Sequence, residues 1–182
     1  MKLFGWFGTQ KRNRGLDDWR RAWAEAINAG GRRDADLRAQ LDTLAATEPD
    51  VEVELEMLDA LEQLRQVQGV VGNGQLPSVE TQHRVIAGER CHFTAPATMP
   101  TDHTQSSGRV LLTASRAIFV GAGKTSTTAW HMVHEVARVD REVLLARSDG
   151  TPLAHFGFNN YGDAVLCAFL AGRLKPSKRG RL

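Results

Sequence analysis

Apolar residues recur every three or four positions at the start of the chain. Leu16, Trp19, Trp23 and Ile27 share one face of a helix that "NAGG", Asn28 to Gly31, brings to a stop. Leu37, Leu41, Leu44 and Ala45 mark a second helix, which ends before Pro49. A third starts at about Pro49, a residue suited to a first helical turn. It turns Val51, Leu55, Leu58, Leu61 and Leu64 inward and Glu52, Glu54, Glu56, Asp59 and Glu62 mostly outward. Its opening, "VEVELE", also alternates like a strand, but the continuation "MLDALEQLRQVQ" favours helix.

Three glycines and a proline in "QGVVGNGQLPS", Gln68 to Ser78, break this pattern, and the period then changes. Seven short β-rich runs follow: "RCHFTAPATM", "GRVLLTAS", "RAIFVGA", "TTAWHMV", "EVARVD", "EVLLARS" and "PLAHFGFN". Gly, Asp, Ser and Pro signals separate them at the spacing of a barrel or sandwich. The helical period returns in "NNYGDAVLCAFLAGRL", with Asn160 as N-cap and Asp163 three residues later. The expected class is α+β, with a three-helix region, a seven-stranded antiparallel barrel and a C-terminal helix capping it. The expected segments are 1–15 (amphipathic and basic), 16–68 (helical), 69–78 (linker), 79–174 (barrel plus helix) and 175–182 (basic tail). Val110, Leu112, Ile118, Trp130, Val136, Leu144, Phe156, Phe158, Val165 and Phe169 are the expected core.

Charge adds an asymmetry that the overall +2 conceals. Residues 1–33 carry eight basic and three acidic side chains, and residues 173–182 carry five basic and no acidic ones. Between Asp34 and Leu64, ten acids face one arginine, Arg38. Such blocks speak to partners and not to fold. The opening apolar run, interrupted from Lys11 on, lacks the longer hydrophobic stretch and cleavage site of a secretory signal, so the chain reads as cytoplasmic. Cys91 and Cys167 are too few and too distant for a disulfide framework.

One motif invites a nucleotide reading. "GAGKTS", after the apolar run Ala117 to Val120, ends like a phosphate-binding loop. The position that should hold the first glycine of GxxxxGK is Ile118, inside the apolar run, and "TSTTAWHMV" after Lys124 reads as strand where the motif needs a helix. Gly121 to Lys124 is therefore expected to be a hairpin turn, with no nucleotide bound. His131 and His134 are three apart and would point to opposite faces of a strand, so no metal site is expected. No nucleophile elbow of the form G-x-S-x-G occurs. The reading is of a protein without catalytic activity or cofactor.

From about His83 to Leu174 the chain resembles the bacterial branch of the pleckstrin-homology-like (PH-like) superfold, in particular GRAM-type domains. The residues that carry the resemblance are "GRVLLTASR", Gly108 to Arg116, then Ile118-Phe119, a glycine turn, and Trp130, Val133 and Val136. It implies a non-enzymatic binding or tethering module. In lipid-binding members of the superfold the turn at Gly121 to Thr125 carries basic residues for phosphorylated headgroups, to which Lys124, with Arg116 nearby, answers here.

Two classes of partner follow. The first is an anionic membrane surface at the inner face. Phe4, Trp6 and Phe7 would insert and Lys11, Arg12 and Arg14 would neutralise lipid charge, joined by Lys178, Arg179 and Arg181 from the tail. The second is another protein, or a second copy of the chain as a homo-oligomer, met through the acidic helix or the sheet edges. Nucleic acid is not favoured, because no aromatic-basic stripe crosses the strands.

Overall fold

The computed structural model describes residues 14–30, 34–48, 50–100 and 107–176. Helices α1 (Arg14–Asn28), α2 (Asp34–Ala45) and α3 (Glu52–Gly72) come first. Strands β1 (Cys91–Thr98), β2 (Gly108–Thr113), β3 (Arg116–Gly121), β4 (Lys124–Ala129), β5 (Glu135–Val139), β6 (Glu142–Ala146) and β7 (Pro152–Phe158) follow, and α4 (Tyr161–Leu174) closes the order. The class is α+β, as the change of period implies.

In α1, Leu16, Trp19, Trp23 and Ala26 are buried, and each buried indole has a polar partner. Trp19 Nε1 donates to the Leu37 carbonyl at 2.8 Å and Trp23 Nε1 to the Met57 carbonyl at 2.6 Å, tying α1 to α2 and α3. The third helix is rotated and shifted relative to the expectation. Its buried face is Glu54, Met57, Leu58, Ala60, Leu61 and Leu64, while Leu55 is 45% exposed. Glu54, expected outside, is 1% exposed because Arg20 reaches it at 2.5 Å. Val51 occupies the N-cap, and the helix continues through Gly72, four residues beyond Gln68. Ala45, expected inward on α2, is exposed.

The seven strands form one antiparallel sheet in the order β4-β3-β2-β1-β7-β6-β5. The two halves join where Ala97 pairs with Phe158 and Thr98 with Gly157. Gly121 pairs with Lys124 across a two-residue turn, and Gly123 there has φ +82°, so the hairpin reading of "GAGK" holds. Gly108 is required by close approach, since a Cβ on it would lie 2.3 Å from the Val120 carbonyl oxygen. "TTAWHMV" does not stay extended: β4 ends at Ala129 and Trp130–Met132 form a single 3₁₀ turn.

Inside the sheet lie Phe93, Val110, Leu112, Phe119, Trp130, Val143, Leu145, Phe156 and Phe158. Phe119 stacks on Phe156 with centroids 6.3 Å apart, and Trp130 Nε1 donates to the Thr113 carbonyl at 2.8 Å. Three expected core positions belong elsewhere, Leu144, Ile118 and Val165. Leu144 is half-buried between the fully buried Val143 and Leu145, because inward positions of a strand alternate and the expectation was one residue out of register. Ile118 is buried on the opposite face of the sheet, with Leu111 and Cys91.

α4 is capped by Asn160, whose side chain accepts from the Asp163 backbone N–H at 2.7 Å. Ala164, Cys167, Leu170 and Ala171 face the sheet core, whereas Val165 lies in the core of α1, α2 and α3. Phe169 packs against both. The helical region is thus seated on α4. Replacing buried Leu61 with Ala is expected to cost about 2–5 kcal/mol in urea unfolding. The exposed Leu55→Ala change should stay within about 0.5 kcal/mol, whereas the expected helix face, with both leucines inward, makes both changes costly.

Candidate anion-binding groove

The sequence-expected site residues do not converge. Lys124 opens β4 opposite Gly121, whereas Arg116 pairs with Ala129 at the far end of the same ladder. Five residues of strand, roughly 16 Å, separate them. Arg116 is moreover occupied: its guanidinium meets Glu89 at 2.6 Å and the Val85 carbonyl at 3.5 Å. Arg14 is exposed at the first position of α1. Phe4, Trp6, Phe7, Lys11, Arg12, Lys178, Arg179 and Arg181 lie outside the described residues, as does the side chain of Lys124.

His131 lies within the 3₁₀ turn after β4 and His134 two residues beyond it, and both are exposed. Among the described residues no three His, Cys, Asp or Glu side chains come together to hold a metal ion, and no helix is long and apolar enough to cross a membrane. Cys91 and Cys167 are buried, and burial pushes both thiols above their ordinary range, which leaves them poor nucleophiles.

A different cluster emerges on the outer face of β1 to β3, where the segment from Val79 to Glu89 lies across the sheet. Val85 and Ile86 cover Leu111, Ile118 and Cys91. Val79 bridges Cys91, with Val79 N–H donating to the Cys91 carbonyl at 2.8 Å, and His92 Nδ1 lies 2.7 Å from the Pro77 carbonyl. At the other end Ser115 Oγ donates to Glu89 at 2.5 Å, beside the Arg116 ion pair. The strap is therefore pinned at both ends.

Beside it runs an open groove of about 700 Å³, lined by Glu80, Thr81, Gln82, His83, Arg84, Val85, Thr94 and Arg109. Arg84 and Arg109 are both exposed, and the Arg109 guanidinium donates to Thr94 Oγ1 at 3.3 Å. The lining thus holds two arginines and one carboxylate residue, Glu80. Arginine forks of this kind match the paired oxygens of carboxylate or phosphate. Sequence reading missed both arginines, although the alternation in "GRVLL" carried a signal. With Val110 and Leu112 inward, Arg109 must stand on the outer face.

No family model matches the chain, and no curated protein matches it. Among solved structures it is similar to the Inner Membrane Complex Sub-compartment Protein 3 from Toxoplasma gondii, with a TM-score of 0.36 and 14% identity over 45% of this chain and 72% of that one. A structure of Vav1 inhibited by an allosteric inhibitor gives a TM-score of 0.38 and 12% identity, covering 89% of this chain and 63% of that one, under two thirds of its length. The seven-stranded antiparallel sheet with its C-terminal helix fits a PH-like fold.

The pin at Glu89 carries a pH dependence. Burial alone would raise its carboxyl, but hydrogen bonds from Ser115 and Thr113 and the Arg116 charge outweigh burial and hold it below the ordinary 4.5. A depressed folded value means stability present above pH 4.5 and lost as the pH falls through the lower folded value. In urea titrations the wild type should lose more stability below pH 4.5 than Glu89→Gln, which has no proton to take up.

Proposed function

We propose that this chain is a non-enzymatic binding module of PH/GRAM type that tethers to an anionic membrane surface on the cytoplasmic side. The observation that carries the reading is the pair Arg84 and Arg109 in the strap groove, opposed by the single acid Glu80. A headgroup phosphate or carboxylate satisfies both guanidinium groups and leaves Glu80 at the rim. Phe4, Trp6 and Phe7 with Lys11, Arg12 and Arg14 supply an interfacial segment next to α1, and each basic residue near such a surface is worth about 1 kcal/mol.

The basic tail makes a separate footprint. α1, α3 and α4 run in the same direction, since Arg20 meets Glu54, the Tyr161 N–H meets Glu56, and Gly30 and Arg173 both lie by Gly72. Arg14 and Lys175 therefore leave opposite ends of the helical layer, about 20 Å apart along α4.

A second reading, a protein-interaction or scaffold module, draws on β4. Among the described residues this Thr-rich strand pairs only with β3, which leaves an edge that another strand, including that of a second copy, could extend.

Co-sedimentation with neutral and anionic vesicles at low and moderate salt separates the two. The full chain should bind anionic vesicles in a salt-sensitive way, and Arg84→Ala with Arg109→Ala should weaken binding roughly thirtyfold, two charges' worth. Lys124→Glu on the same vesicles reports whether the turn contributes. A full chain that ignores anionic vesicles at low salt ends the membrane reading, and light scattering that finds only monomer ends the homo-oligomer version of the second.

A further inference from the structure

A second groove, of about 480 Å³, opens where the start of α3 meets the turn between β5 and β6. It is lined by Val53, Val139, Asp140, Arg141, Glu142 and Tyr161. Its apolar floor is uncovered: Val139 is 69% exposed and Val53 37%. Its lining carries two acids, Asp140 and Glu142, both exposed, and one oxygen of Glu142 lies 2.9 Å from His155 Nε2.

The cations close to it are engaged. Arg141 binds Glu56 at 2.5 Å and lies over the Tyr161 ring at 4.9 Å. Arg20 is held by Glu54, and Arg138 stacks over Trp23 at 5.0 Å while donating to the Asp140 carbonyl. The surface left over asks for an apolar ligand that carries positive charge.

We propose that the chain's own N-terminal segment, Met1 to Asn13, is that ligand. It holds Leu3, Phe4, Trp6 and Phe7 together with Lys2, Lys11 and Arg12, and no acid. Its attachment point is also on the correct side. Because α1 runs parallel to α3, with Arg20 against Glu54 and Trp23 against Met57, Arg14 lies at the end of the helical layer where Val53 and the β5–β6 turn sit. From Arg14 to Arg20 is about 9 Å of helix. The seven residues from Phe7 to Arg14 span up to roughly 23 Å when extended, so the aromatics reach the groove without moving α1.

The consequence rests on the membrane reading: the residues that would enter lipid are those held in the groove. Docking and membrane association therefore compete for one segment.

Tryptophan fluorescence reads the docking without any membrane. Trp19, Trp23 and Trp130 are buried, so acrylamide quenching beyond their shielded background reports on Trp6, with Trp6→Phe as the blank. Docking predicts that Trp6 is shielded in the full chain. Val139→Asp, and separately Lys11→Glu with Arg12→Glu, should raise its quenching and shift its emission to the red, with circular dichroism unchanged. Equal quenching in wild type and both variants overturns the proposal, and so does shielding that disappears on dilution, because the occupant is then a second copy. With anionic vesicles added, Val139→Asp should bind more tightly than wild type. If neither binds while the quenching difference stands, the tether reading fails and the docking survives.

Discussion

α4 is buried on two sides at once, and that double burial joins the two halves of the protein. Its small residues Ala164, Cys167 and Ala171 let the helix close on the sheet core, while Val165 fills the core of α1, α2 and α3. A helix apolar on two faces is stable only with cover on both. The helical region therefore serves as the outer cover of α4, and loss of either layer would expose the other to water.

Polar contacts fix the angle of that cover. Glu56 accepts from the Tyr161 backbone N–H at 2.5 Å and pairs with Arg141 at 2.5 Å, so one side chain of α3 holds both the first turn of α4 and the β5–β6 turn. Tyr161 in turn meets Trp23 edge to face at 5.5 Å. These partners are partly buried, which is where such contacts outweigh the weak surface ion pairs. A cost follows for recognition: Arg20, Arg116 and Arg141 are spent on structure, whereas Arg84, Arg109 and Asp140 are exposed among the described residues.

The strap has the same logic on the opposite face of the sheet. Leu111, Ile118 and Cys91 are apolar on a face that an isolated sheet would leave wet, and Val85 and Ile86 cover them. Covering that face creates the groove beside it, so the strap that completes a small second core also brings Arg84 to the groove that Arg109 lines. The seven-stranded sheet is the scaffold, and the groove is a product of what is laid over it.

Periodicity alone determined the element order, the hairpin at Gly121 to Lys124 and the Asn160 cap, because each depends on residues within a few positions of one another. It could not decide faces where both are buried. In "EVLLA" either Leu144 or its neighbours could point inward, and in "VEVELEML" the helix face depends on Arg20, 34 residues away, drawing Glu54 inside. Ile118 reads as core from sequence, but which core depends on a strap whose own pattern is irregular. The charge blocks were legible as blocks. Which members remained available was settled only by ion pairs between distant residues, Glu56 with Arg141 and Glu89 with Arg116, since no local spacing encodes a contact that the chain makes only after it has closed on itself.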